Sequence, residues 1–355
     1  DAVGAGAART EGSAAELKDA LAPVATVKWE GLAQSVAASR LPAESHFKES
    51  LLLELERGCP RRCRFCVASR IYAPLRAHDP EPLLDYVERE ARPGERIGLL
   101  GLSAGDYRHL DRLAEELARC GWRISISSLP PDFHKQGVAE ALVRSGATTV
   151  TIAPETGTDR LRSLAGKKVA NEAILRTASL LGRSGVLHLR TYFLIGLPFE
   201  EDEDIAGIAR LLGEIRRVVP AGRGLSATVN PFVPKPRTTF QRAAMAPRQR
   251  LEAAARRLRR EVPAGVRLKV KRLREARLHA AVTRGDATWA ARIERASLEG
   301  RAIAQQLRRE GTDLEAWTGE IDAGAPLPWG YLISEREAGE LERDWRAAQE
   351  EAGSR

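Results

Sequence analysis

The chain has 355 residues, 43% of them apolar, which is enough for one large α/β domain with its own core and a smaller appendage. No run approaches the length needed to span a bilayer, and the start, Asp1-Ala2-Val3-Gly4-Ala5-Gly6, has neither the basic nor the apolar region of a secretion signal, so no membrane partner and a cytoplasmic setting are expected. Four cysteines, three of them clustered, exclude a disulfide framework, and the formal charge of +8 turns attention to where the basic residues gather.

Residues 1–50 read as a linker or lead-in, the first 25 of them rich in Ala, Gly and Ser with one short amphipathic piece at 14–21. From residue 51, short β-like runs alternate with helical patterns. Strands are expected at 51–56, 97–102, 123–128, 148–153, 187–195 and 225–232, and helices at 81–90, 109–120, 137–145, 171–183 and 202–218. Asn171 is placed as an N-cap, and Gly146 and Gly185 follow helices. Such alternation is the pattern of an α/β fold with a parallel sheet and right-handed crossovers. A core over 51–240 and a basic, mainly helical extension over 241–355 complete the division. Cys120, closing the helix before the third strand and followed by Gly121, is expected to be a small buried hydrophobe.

Cys59, Cys63 and Cys66 fall within eight residues, on the loop that leaves the first strand. Thiolates grouped like this are metal ligands first. Three of them on a [4Fe–4S] cluster leave one iron open for a small molecule, whereas a zinc site would need completion by Cys120 or by a histidine such as His78. The carboxyl ends of the other strands carry the remaining polar candidates: Ser103 and Asp106, Ser127 and Ser128, Glu155, the run Gly196-Leu197-Pro198, and Asn230 with Lys235. In parallel α/β sheets chemistry gathers at that rim. For Glu155, an acid favoured at a helix N-terminus is the alternative reading.

The C-x3-C-x2-C spacing, with Phe65 just before the last cysteine, resembles the signature of the radical S-adenosylmethionine (SAM) superfamily. Within it the chain is most similar to an uncharacterised branch of the proteins that carry a cobalamin (B12)-binding domain. Residues 191–198 and 230–241 resemble that branch's fifth and sixth strands, and Arg284-Gly285-Asp286 resembles a tail motif. The resemblance implies a partial (βα)6 TIM-like barrel, a [4Fe–4S] cluster on Cys59, Cys63 and Cys66, and SAM as cofactor, with cobalamin as a further one. It implies SAM contacts from Phe65 beside the adenine, from Ser103 and Asp106 where many members have Gly-Gly-Glu, and from Ser128, Glu155, Gly196 and Pro198. It also implies an electron donor such as a flavodoxin or ferredoxin. The expected reaction is hydrogen abstraction from an unactivated carbon, or its methylation where cobalamin is used. Methylthiolation of RNA or protein is an alternative that needs a second sulfur source, and a zinc-stabilised nucleic-acid-binding module is the non-enzymatic one.

Between Lys235 and Arg277 stand fifteen basic residues against three acidic ones. A solvated helix face accounts for them. A phosphate-gathering surface does so too, with Arg256, Arg257, Arg259 and Arg260 guiding an RNA or ribonucleoprotein substrate, and a small-molecule substrate is equally open. Trp289, Trp317 and Trp329 read as core or docking residues.

Overall fold

The computed structural model describes residues 35–40 and 50–354. Most of the expected lead-in, including the amphipathic piece, lies outside the described residues. Strand β1 (Ala38–Arg40) pairs antiparallel with β2 (Ser50–Glu54), and β3 (Glu56–Arg57) pairs antiparallel with β4 (Arg76–Ala77). The wall of the fold then runs through β5 (Arg96–Leu100), β6 (Arg123–Ile126), β7 (Thr149–Glu155), β8 (His188–Ile195), β9 (Gly224–Pro231) and β10 (Val266–Val270). Pairing is parallel from β2 to β5 to β6, and again from β7 to β8 to β9 to β10. A parallel bridge between Leu129 and Ile152 joins the two sheets.

The helices among the described residues are α1 (Ala68–Ile71), α2 (Pro80–Glu90), α3 (Leu110–Arg119), α4 (Gln136–Arg144), α5 (Asp159–Leu164), α6 (Asn171–Arg183), α7 (Asp202–Val218), α8 (Arg248–Glu261), α9 (Leu273–Arg284), α10 (Thr288–Leu298), α11 (Ile303–Arg309), α12 (Glu315–Thr318) and α13 (Glu335–Gly353). The parallel strands with helices on one face form the partial barrel. All six expected strands and all five expected helices are present, because each carries its own period. Leu51, Leu53 and Leu55 alternate into the core from β2 and the turn after it, and Leu110, Leu113, Ala114 and Leu117 form one buried stripe on α3.

The structure departs from the expected pattern at three places. Ala170, not Asn171, is the N-cap of α6, since the carboxylate of Asp159 already takes the Asn171 N–H at 2.7 Å. Cys120 is exposed, because α3 ends at Arg119 and Cys120 turns off the buried stripe as its C-cap. The sheet does not stop near residue 240: β10 adds a seventh parallel strand inside the basic segment, where Val266, Leu268 and Val270 alternate with Arg267 and Lys269. As the solvated-face reading expects, the cations of α8 lie on its outer side, since Leu251, Ala254, Ala255 and Leu258 turn inward, and Arg257 and Arg260 are paired with Glu261. Trp289 and Trp329 are buried as expected.

The end of the chain returns to the barrel. Ala348 and Trp345 of α13 pack with Phe65, Leu161, Phe199, Phe232 and Phe240 in a second apolar cluster, beside the loop that carries the cysteines.

Candidate active site

The cysteine loop leaves β3 and ends in α1, and its backbone is tied to the barrel. The Arg64 N–H donates to Ala165 O at 2.9 Å, the Cys66 N–H donates to Cys63 O at 3.1 Å, and the Ser69 hydroxyl donates to Cys66 O at 2.8 Å. Side chains continue the fastening. Arg64 pairs with Asp344 and Glu351 of α13, and Arg61 reaches across the rim to Asp106 at 2.8 Å and Asp132 at 2.8 Å. Burial opposes the charge on Arg61, but the two carboxylates outweigh it and raise its pKa. Burial would lift the Asp106 carboxyl, yet bonds from Arg61 and from the Ser103 hydroxyl hold it below the ordinary range. Ser103 and Asp106 are therefore coupled to the loop between the first two cysteines.

The three thiols are neighbours. Cys63 is buried and Cys59 and Cys66 are half-buried. Burial pushes the Cys63 thiol up to about 11; Lys167 counters this, while Glu155, Cys66 and Cys59 add to it. Cys59 is raised in the same way, by burial first and with Cys66 contributing. Among the described residues no group of three His, Cys, Asp or Glu side chains closes on one point as a single ion requires. The candidates that would complete a zinc site stand elsewhere: Cys120 is exposed at the end of α3, and His78 is buried with its Nδ1 at 2.6 Å from Ser35 O. A cubane spreads its irons over separate corners, so three nearby thiols on a fixed loop suit it without converging. Binding would require the thiols to lose their protons, and the ammonium of Lys167 favours that at Cys63.

Glu155 ends β7 after a register shift, with φ at 68°, and α5 begins only at Asp159, so the residue belongs to the strand's end and not to a helix N-terminus. Lys167 Nζ lies 2.9 Å from its Oε1 and 2.7 Å from Ala153 O. Behind the turn sits Arg162, with no exposed surface. Its guanidinium donates to Pro154 O, Thr156 O and Val169 O, to Asp159 and to Asn171, so all five N–H groups are used. Gly157 presses on α7: a Cβ there would lie 2.0 Å from Ile208 N and 2.6 Å from Asp204 O. Arg61 finds its partners 45 and 71 residues on, so no local pattern marks it, whereas those of Arg162 and Lys167 lie within nine and fourteen residues and are gathered by the turn after β7.

Gly196 has φ of 80° after β8, and a Cβ on it would meet Leu251 and Ala246. The close approach it permits is thus to α8, and its N–H donates to Glu200 at 2.8 Å. Pro198 and Ser128 are half-buried, and Phe65 packs on the second apolar cluster. Asn230 pairs in register with Leu194 near the end of β9.

The site is thus a parallel α/β wall with three neighbouring thiols on a fastened loop at its rim. Residues 53–212 match the model of the radical SAM superfamily, a family that uses a [4Fe–4S] cluster and SAM. An uncharacterized protein, MJ0966, of Methanocaldococcus jannaschii is 36% identical over 200 residues, covering 56% of this chain and 44% of its own length. The ribosomal protein uS12 methylthiotransferase RimO of Salinispora tropica is 30% identical over 184 residues, covering 46% of this chain and 35% of its own. The chain thus spans less than half the length of either. Among solved structures, the radical SAM methyltransferase TsrM of Kitasatospora setae superposes with a TM-score of 0.43 at 17% identity, over 50% of this chain and 36% of that one. No helix among the described residues is long and apolar enough to cross a membrane.

Proposed function

We propose that Cys59, Cys63 and Cys66 hold a [4Fe–4S] cluster and that SAM binds beside it along the carboxyl rim. The carrying observation is the fixed loop itself: three thiols within electrostatic reach of one another, inside the radical SAM segment. When bound and reduced, the cluster supplies the electron that cleaves SAM to methionine and an adenosyl radical. The chain's own residues bind and orient. Lys167 favours the thiolate of Cys63 and steers Glu155, whose second oxygen is left for a hydroxyl or amino group of the ligand. Arg61 holds the loop through Asp106 and Asp132, Ser103 caps that contact, and Ser128, the Gly196 backbone, Pro198 and Phe65 border the space for the nucleoside.

The reaction is hydrogen abstraction from an unactivated carbon, or methylation of that carbon where cobalamin takes part, in a reducing cytoplasmic setting with a flavodoxin or ferredoxin as donor. The protein supplies orientation and exclusion of water. Methylthiolation, the activity in the name of the RimO relative, is the competing reading and is separated by its product. Anaerobic reconstitution is expected to give about four irons per chain and a spectrum that changes when SAM is added. Purification with one tightly held zinc and no sulfide would sink the proposal.

A further inference from the structure

The parallel register lines up side chains across the concave face of the barrel. Thr151 stands beside Arg190, Arg190 beside Ser226, and Ser226 beside Arg267, which makes one row over β7, β8, β9 and β10. Two residues nearer the rim, Tyr192, Thr228 and Lys269 form the next row. The residues between them, Leu189, Phe193, Leu225, Ala227 and Val229, belong to the core under the helices, with Val266, Leu268 and Val270 packed against it. By strand alternation the two rows face the other way, into the open barrel. Arg190, Arg267 and Lys269 are exposed there, and among the described residues none of the three has an ion-pair partner.

Guarding a sheet edge accounts for cations on β10, the outermost strand. It does not account for Arg190, which lies on an interior strand. Both arginines also act on one imidazole: the pKa of His188 is lowered by burial first and further by the charges of Arg190 and Arg267, and its Nε2 engages the Ser226 hydroxyl at 2.8 Å. With Ser226 between them the two arginines stand two strands apart, about 9.6 Å by the spacing of paired strands, a gap that one anion can bridge. Two guanidinium forks and an ammonium suit an anion with several oxygens and more than one charge, so a phosphate ester fits better than a single carboxylate.

We infer that this concave floor is the substrate-binding surface and that Arg190, Arg267 and Lys269 hold a phosphate group of the substrate. The inference rests on the radical SAM reading only in that the floor leads to the cysteine rim. Arg190 lies five residues below Ile195, roughly 16 Å at about 3.3 Å per residue, so the phosphate is held at the far end of an extended substrate while the reacting carbon lies at the rim. A phosphorylated small molecule and a single nucleic-acid strand both supply this group.

The test uses the reconstituted protein at low salt, with inorganic pyrophosphate followed by calorimetry and a labelled single-stranded RNA decamer followed by anisotropy. Arg190→Gln and the double variant Arg267→Gln/Lys269→Gln are each expected to weaken the bound probe about tenfold or more and to flatten its salt dependence. Arg256→Gln/Arg259→Gln, on the outer face of α8, should leave binding unchanged. Pyrophosphate binding with this pattern, and displacement of any RNA by it, identifies a small phosphorylated substrate. RNA binding with this pattern that millimolar pyrophosphate does not displace identifies a nucleic-acid strand. Failure of both probes to bind, or binding indifferent to the floor variants, overturns the inference. Iron content and the SAM-induced spectral change, measured on the same samples, report separately on the proposed function.

Discussion

Arg162 shows how much of the rim depends on a side chain that touches no ligand. Its five N–H groups satisfy the carbonyls of Pro154, Thr156 and Val169 together with Asp159 and Asn171, and so set the turn on which Glu155 is carried. Replacing it with methionine leaves those acceptors buried and unpaired, and is expected to cost about 3–5 kcal/mol in chemical denaturation. Arg162→Lys should recover little, because an ammonium cannot serve five acceptors spread around a planar fork. Glu200 supports a pH prediction. It is 7% exposed, and burial pushes its carboxyl up to about 7, although the Gly196 N–H bond acts to lower it. The folded state therefore binds this proton more tightly than the unfolded one, so the contribution to stability is full below pH ~4.5 and is lost as pH rises through about 7. Glu200→Gln should flatten that part of the stability profile, and a stability difference from the parent that stays constant between pH 5 and 8 would refute the assignment.

At the scale of elements, two junctions hold the site in place. Gly157 allows the turn after β7 to rest on the backbone of α7, where a Cβ would overlap Ile208 N and the Gly207 carbonyl carbon. Gly157→Ala must push the turn and α7 apart, and a loss of about 1–3 kcal/mol with weakened SAM binding is expected, read by thermal melts and by the spectral change with SAM. The second junction is between the cysteine loop and α13, where Asp344 takes Arg64 and Arg70 and Glu351 takes Arg64 and the Ser163 hydroxyl. These pairs are partly exposed, so each is worth about 1 kcal/mol or less. Asp344→Ala/Glu351→Ala should keep the fold yet speed loss of iron to a chelator several-fold, and an unchanged rate would show that α13 does not brace the loop.

For the whole molecule, the curved wall sorts chemistry by side and by height: apolar residues toward the helices, a polar and cationic floor toward the open barrel, thiols and carboxylates at the rim. The sequence by itself determined the elements that carry their own period, namely the leucine alternation of β2, the stripe of α3 and the cysteine spacing, because those signals lie within a few residues. Strand direction and chain order also put Ser103, Asp106 and Glu155 at strand ends near the cysteine loop. The chain's charge count concealed β10, whose two cations occupy alternate positions of a strand. Tertiary structure alone decided that Arg61 meets Asp132, that Lys167 serves Glu155, and that Arg64 meets Asp344 across 280 residues. An ion pair between residues far apart in the chain leaves no local trace, because its energy comes from partners that only the packed chain brings within reach.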